Sequence, residues 1–318
     1  MDKKQKELLN KLKYLINKKK SFKVICEELE LEPYQIYGLA ELLKMDGFAI
    51  DIQPENIVKI TQPVPKTEVY KIPETTSTDL LLISDTHLGS KCDRLDLINA
   101  AYQEAEKRGI TTVLHAGDIS DGFYPNRAQQ LYELRTIGAD QTTDYIVDKY
   151  PYIEGINTYF ISGNHDFTFV RNDGYDIGKA IERQREDMHY LGPDVATVDV
   201  NGIKVRLVHG SKGPAYALSY KLQKYAETID ESEKPHILMQ GHFHNSFYMM
   251  YQGMHCFQVP STIDQTQYAR SMGMKNEKGV WFVHLEKDKN NNIVSIIPEL
   301  YDFNNKPYTK TLKRRNPR

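Results

Sequence analysis

The chain has 318 residues, 40% of them hydrophobic and 26% charged, with a formal net charge of -2, a length and balance that suit one large globular domain or two. The near-neutral charge excludes a chain-wide polyanion-binding surface, so any nucleic-acid contact must be local. Cys26, Cys92 and Cys256 are too scattered for a disulfide framework or a thiolate zinc site, and the absence of a run of about 18 apolar residues or of a signal-peptide core makes a cytoplasmic protein, off the membrane, the default expectation.

From Lys3 to Asn17, Leu8, Leu9, Leu12, Leu15 and Ile16 recur at three- and four-residue steps, one face of an amphipathic helix. Ser21 fits the cap of a second helix through Glu30, and Pro33 the first turn of a third that runs to about Met45 and stops at Gly47. Two short β-like runs follow, Phe48 to Ile52 and Ile57 to Ile60. Three helices and a small hairpin over residues 1–60 resemble a winged helix-turn-helix, whose third helix would enter a DNA major groove. The charges shift that expectation toward the first helix. Residues 1–23 carry nine lysines against Asp2 and Glu7, whereas residues 24–60 carry only Lys44 and Lys59 against eight acids. The alternative is that this region packs on a partner or on the rest of the chain.

The Pro- and Thr-rich residues 61–78 lack either period and read as an extended linker. Residues 79–303 then alternate short apolar runs with amphipathic helices, a layered α/β pattern with antiparallel additions near the end. Leu80 to Ile83, Thr112 to Leu114, Ile156 to Ile161, Val205 to Val208 and Ile237 to Met239 fit buried strands. Helices fit Leu95 to Lys107, Tyr175 to Glu186 and Ala215 to Thr228, and Asn201-Gly202 marks a hairpin turn. The tail, residues 304–318, is basic, with six Lys and Arg and no acid.

The chemistry lies directly after the five strands, in "SDTHLG", "HAGDISDG", "SGNHD", "HGS" and "QGHFH". Strand carboxyl ends are where sites assemble in α/β sheets. These segments carry Asp85, His87, Asp118, Asn164, His209, His242 and His244. In Asp85-x-His87 and His242-x-His244, alternate residues of an extended segment would point the same way, each pair offering two ligands to one site. Mixed carboxylate and imidazole donors suit Mn, Fe or Zn. Seven ligands exceed one tetrahedral ion and suit two ions about 3.5 to 4 Å apart, which clamp an in-line displacement at phosphorus. Each element alone is weak; five in order at strand ends are not. Of the remaining histidines, His115 lies near enough to support the site from behind, and His189, His236, His255 and His284 read as strand-end or surface residues.

These motifs resemble the calcineurin-like metallophosphoesterase superfamily in the order Asp-x-His, Gly-Asp, Gly-Asn-His-Asp, lone His and Gly-His-x-His. The resemblance implies a four-layer αββα sandwich and two divalent metals, manganese first among the candidates, bridged by Asp118. It places Asp85, His87 and His244 at one metal and Asn164, His209 and His242 at the other. "ISDTHLGS" is similar to the nuclease branch, both the double-strand-break repair exonucleases and the small subunit of archaeal D-family DNA polymerase, and "GDISDGFYPNRAQQ" and "VPSTIDQTQYAR" look more like the latter. The domain that the polymerase subunit carries ahead of its phosphoesterase part is missing here, so the expectation is a free-standing DNA nuclease. Related nucleases are often dimers, which makes a homodimer a further expectation.

The expected reaction is phosphodiester hydrolysis by metal-activated hydroxide, with His165 donating a proton or positive charge to the leaving oxygen. An imidazole in that role needs an orienting partner. Asp166 is adjacent to it, and Asp121 matches the aspartate that partners the same histidine in the related protein phosphatases; Asp121 is favoured, and the bland reading of Asp166 is a helix or turn cap. The Arg that follows this aspartate in those phosphatases is absent, which argues against a phosphoprotein substrate. The rival functions are a small-molecule phosphodiesterase or phosphatase, for example on cyclic nucleotides, and a DNA-binding scaffold with a vestigial metal site. The Tyr-rich stretch from Phe123 to Pro151, with Arg127 and Arg135, reads as helices beside the site that either stack bases and hold phosphates or simply pack. Lys212 is a further phosphate-contact candidate.

Overall fold

The computed structural model describes residues 3–18, 20–45, 49–51, 59–61, 68–73, 75, 77–210, 217–288 and 293–304. The chain divides into two compact units, Met1–Lys66 and Thr67–Arg318. In the first, α1 (Lys3–Asn17), α2 (Phe22–Leu29) and α3 (Pro33–Met45) precede an antiparallel pair, β1 (Ala49–Asp51) and β2 (Lys59–Thr61). The apolar stripe of α1 closes on Ile25 and Leu29 of α2 and Ile36, Ala40 and Leu43 of α3, all buried. The Ser21 hydroxyl accepts the Val24 N–H at 3.4 Å, and Glu30 ends α2 in the left-handed region at φ 53°. Gly47, the expected stop of α3, and most of the hairpin loop lie outside the described residues, as do Lys212 and the basic tail from residue 305.

The second unit begins with β3 (Val69–Lys71), which lies inside the stretch read from sequence as a linker and pairs in parallel with residues 197–199. The next elements are β4 (Leu80–Ile83), α4 (Leu95–Lys107), β5 (Thr112–His115), α5 (Ala139–Lys149), β6 (Asn157–Ser162), α6 (Phe167–Asp173), α7 (Ile177–Glu182) and β7 (Met188–Pro193). They are followed by β8 (Val195–Val200), β9 (Ile203–Val208), α8 (Tyr220–Ala226), β10 (Ile237–Gln240), β11 (Phe247–Tyr251), β12 (Met254–Gln258), α9 (Gln267–Ser271), β13 (Gly279–Lys287) and β14 (Ile293–Asp302).

Two six-stranded sheets result, in the orders β14-β13-β4-β5-β6-β7 and β11-β12-β10-β9-β8-β3. In the first, β4 to β7 run parallel and β13 and β14 add antiparallel. Leu80, Leu82, Leu114 and Ile161 of one sheet meet Val198, Val205, Leu207 and Met239 of the other in a shared buried core. The outer face of the first sheet is covered by α4, α5 and α7 through Leu97, Ile98, Ala101, Ile146 and Ile181, and that of the second by α8 through Leu222 and Ala226. Strands covered on both faces must be apolar throughout, which is why Leu80–Ile83 reads as an unbroken run. Asn201 (φ 51°) and Gly202 (φ 85°) make the β8–β9 turn, both in the positive-φ conformation that such a hairpin requires. Because β4, β5 and β6 are parallel neighbours, and β9 and β10 likewise, their carboxyl ends fall together.

Candidate metal centre

Immediately after β4, β5 and β10 the backbone leaves the extended conformation. Asp85 (φ 51°), His87 (45°), Asp118 (53°), His242 (79°) and His244 (53°) all sit in the left-handed region. The alternation expected from sequence is thus corrected: Asp85-x-His87 and His242-x-His244 are not extended segments. Each such residue costs on the order of 1 kcal/mol, offset by hydrogen bonds that zip the loops together. Asp85 N–H donates to Gly117 O (3.0 Å), His87 N–H to Asp118 O (3.1 Å), and His242 N–H to the Asp85 carboxylate (2.9 Å).

The seven expected ligands converge in two linked groups. His244 Nε2 stands 3.2 Å from Asp85 Oδ1 and 3.2 Å from His87 Nε2. His209 Nε2 stands 3.1 Å from Asp118 Oδ2, 3.1 Å from Asn164 Oδ1 and 3.3 Å from His242 Nδ1. His242 and His244 therefore serve different groups, not one site as a same-facing pair. Asp118 joins the groups, since its carboxylate also lies within 4.8 Å of the ring nitrogens of His87 and His165.

This donor set fits cations. Asp85 Oδ1 is buried without a well-directed hydrogen bond, facing the His244 and His87 ring nitrogens at 3.2 and 3.8 Å, a costly state that a bound cation relieves. With Nδ1 of His87 on the Asp121 carboxylate, its Nε2 is left to offer a lone pair toward a cation beside His244. Burial disfavours charge here, yet the surrounding imidazoles hold Asp85 and Asp118 well below the usual carboxylate range. His209 is pushed up to about 9 by Asp118 against the opposing effect of burial, whereas burial and the charge of His209 push His242 down to about 4. Two glycines leave room for the carboxylates: a Cβ on Gly163 would stand 2.2 Å from Asp118 Oδ1, and one on Gly241 2.9 Å from Asp85 Oδ2.

Of the expected partners of His165, Asp121 is the one in reach. His165 Nδ1 lies 2.6 Å from the Asp121 backbone carbonyl and 3.6 Å from its carboxylate, which itself pairs with His87 Nδ1 at 3.1 Å. Asp166 turns away. Its oxygens accept from Ile119 N–H (3.2 Å), Ser120 N–H (2.8 Å), Ser120 Oγ (2.6 Å) and Gly163 N–H (2.8 Å). It stands at the start of α6 but makes no side-chain cap there; it bolts the β5 loop to the β6 loop. Burial and the charge of Asp118 push its carboxyl up to about 6, while the four donors favour the anion.

His115 supports the same loops. Its Nδ1 accepts the Gly117 N–H (3.2 Å), so Nε2 carries the proton shared with Thr86 Oγ1 at 3.1 Å. His189, His236, His255 and His284 each bond a neighbour away from the ligand groups. Sequence reasoning assigned no role to Ser84, whose hydroxyl donates to Asp85 Oδ2 at 2.6 Å, and read Tyr124 only as part of a stretch that stacks bases or packs, whereas its hydroxyl accepts from Asn164 Nδ2 at 3.0 Å. The latter orients Asn164 Oδ1 toward His209. Its only signal was the aromatic stretch between motifs.

Two sheets with candidate ligand loops at the carboxyl ends of their strands are consistent with a metallophosphoesterase-type domain. Residues 79–274 match the model of the calcineurin-like phosphoesterase superfamily domain, and the chain belongs to that superfamily. No curated protein matches the chain. Similar solved structures include an archaeal phosphodiesterase (14% identity, 70% of this chain and 99% of that one, TM-score 0.41). They also include zinc-complexed Vps29 from Entamoeba histolytica (15% identity, 71% and 100%, TM-score 0.36) and Vps29 from Cryptosporidium parvum (14%, 70% and 97%, TM-score 0.36). Among the described residues no helix is long and apolar enough to cross a membrane.

Proposed function

We propose that the chain is a binuclear metal-dependent phosphodiesterase whose substrate is DNA. The observation that carries the binuclear reading is the placement of Asp118 between two groups of donors, within 4.8 Å of both His87 and the His209–His242 pair. Asp85, His87 and His244 would hold one cation, Asn164, His209 and His242 the other, with Asp118 shared; manganese is the proposed metal, since oxygen and imidazole donors without thiolate suit it. When bound, such a pair polarises phosphoryl oxygens and lowers the pKa of a coordinated water.

The chain's own residues supply the rest. His165 commits Nδ1 to the Asp121 carbonyl, so the proton it delivers to the leaving oxygen must be carried on Nε2. The His165 backbone N–H donates to Asp118 Oδ1 at 2.7 Å, which holds the residue beside the shared carboxylate. The Asp121 carboxylate orients His87 from behind. DNA as substrate is supported by the lysines of residues 1–23 and by Arg127 and Lys275 at the rim of the site; the first unit, as a winged helix, would hold the duplex through α1.

The test is hydrolysis by manganese-loaded protein of single-stranded DNA, duplex DNA, a cyclic nucleotide and a phosphomonoester. Cleavage of DNA is expected, with His165→Ala losing activity but keeping both metals by elemental analysis. Turnover confined to the small molecules would remove the nuclease reading, and metal loss from His165→Ala would remove the separation of ligand from proton donor.

A further inference from the structure

A cavity of about 560 Å³ opens over the ligand groups, and Tyr124, Arg127 and Tyr268 line it together with His165, His242 and Lys275. The Arg127 guanidinium carbon stands 4.2 Å from the Tyr124 ring centre and 4.6 Å from that of Tyr268. Several other arginines of this unit are committed to carboxylates: Arg94 to Asp96 and Asp264, Arg108 to Glu104 and Glu299, Arg185 to Asp187. Among the described residues Arg127 has no such partner, and its charge is held by rings alone.

We propose that Tyr124, Arg127 and Tyr268 form a substrate clamp, in which the guanidinium edge of Arg127 takes the non-bridging oxygens of a phosphate ester lying over the Asp118 groups. The inference deepens the phosphodiesterase reading and rests on it. Stacking on aromatic rings covers the flat surface of a guanidinium and leaves its in-plane N–H groups, the geometry that matches phosphate oxygens. A side chain already fixed by two rings loses little further freedom on binding. The two segments that supply the rings are tied together, because Gln267 N–H donates to Glu133 Oε1. The clamp is also joined to the ligands, since Tyr124 packs edge-on against His165 (5.1 Å) and accepts from Asn164. A phosphate on Arg127 therefore sits within one tyrosine of a metal-group side chain.

The experiment is calorimetric titration of inorganic phosphate into manganese-loaded protein, with metal content verified for every variant, beside KM and kcat for a phosphodiester. Arg127→Gln is expected to weaken phosphate binding by about 10- to 100-fold, the worth of a charge-assisted contact, and to raise KM by a similar factor. Tyr268→Ala should weaken binding while leaving the metals in place, and Tyr268→Phe, which keeps the ring, should restore it. Unchanged phosphate affinity in Arg127→Gln, or no phosphate binding by the unaltered protein, overturns the clamp. Failure of the phosphodiesterase reading shows differently, as absent hydrolysis with Arg127-dependent phosphate binding intact.

Discussion

Replacing Asp166 by Asn tests whether this residue is a structural bolt or a partner in catalysis. Each of its oxygens takes two donors, Oδ1 from Ser120 N–H and Oγ, Oδ2 from Ile119 and Gly163 N–H. An amide keeps one acceptor. In the better orientation its carbonyl faces Ile119 and Gly163, and the Ser120 hydroxyl rotates to accept from the NH2, which leaves the Ser120 N–H buried without a partner. That orphan costs about 1–3 kcal/mol, and the lost charge assistance on the surviving bonds adds about 1 kcal/mol. Against these losses, the neutral amide escapes the penalty that burial and the Asp118 charge place on the anion, about 3 kcal/mol at pH 8 for a carboxyl raised to about 6, so the net change in folding stability is expected to lie within about 1 kcal/mol of zero, with turnover kept. Urea denaturation with chelator present at pH 8, above the Asp166 pKa of about 6, measures it free of metal linkage. Asp166→Asn with unaltered stability but abolished turnover would refute the bolt and return Asp166 to the chemistry.

Other changes read other parts of the site. Asp121→Asn leaves the Asp121 carbonyl on His165 but removes the carboxylate from His87 Nδ1, so the metal held by Asp85, His87 and His244 should bind about 10- to 100-fold more weakly, by competition with a chelating dye. Gly163→Ala should release both metals and destabilise the unit, since its Cβ would lie 2.2 Å from Asp118 Oδ1; full occupancy by elemental analysis would show that the loop can yield. His115 is held by burial at about 3, below its usual 6.5. The unfolded chain therefore takes up a proton near pH 6.5 that the folded chain refuses. Stability from this residue is full above pH 6.5 and falls as pH drops toward 3, by up to about 1.4 kcal/mol per unit. His115→Gln should flatten the apo-protein stability curve across that window.

The candidate ligands were legible in the sequence because each follows an apolar run, and an apolar run three to six residues long flanked by Gly, Asp and His states both the strand and its end. Residues Asp85, His87, Asp118, Asn164, His209, His242 and His244 could be named from that rule alone. The conformation that brings them together could not. Left-handed backbone at Asp85, His87, Asp118, His242 and His244 is imposed by hydrogen bonds to loops far away in the chain, and local propensity argues against it. For the same reason β3 was hidden within a Pro- and Thr-rich stretch: an edge strand with three exposed residues carries no apolar signature, and only its pairing with β8 defines it.

The sequence by itself determined the candidate ligand residues, their order at strand ends and the superfamily, because these depend on short-range pattern. Tertiary structure decided what each polar group does. It put His165 Nδ1 on the Asp121 backbone carbonyl and turned the Asp166 carboxylate to four donors. It also brought Tyr124 and Tyr268 from segments more than a hundred positions apart onto one guanidinium. Such roles are set by which neighbours satisfy a buried charge, and those neighbours come from other strands and loops, so the residue's own surroundings in the chain cannot name them.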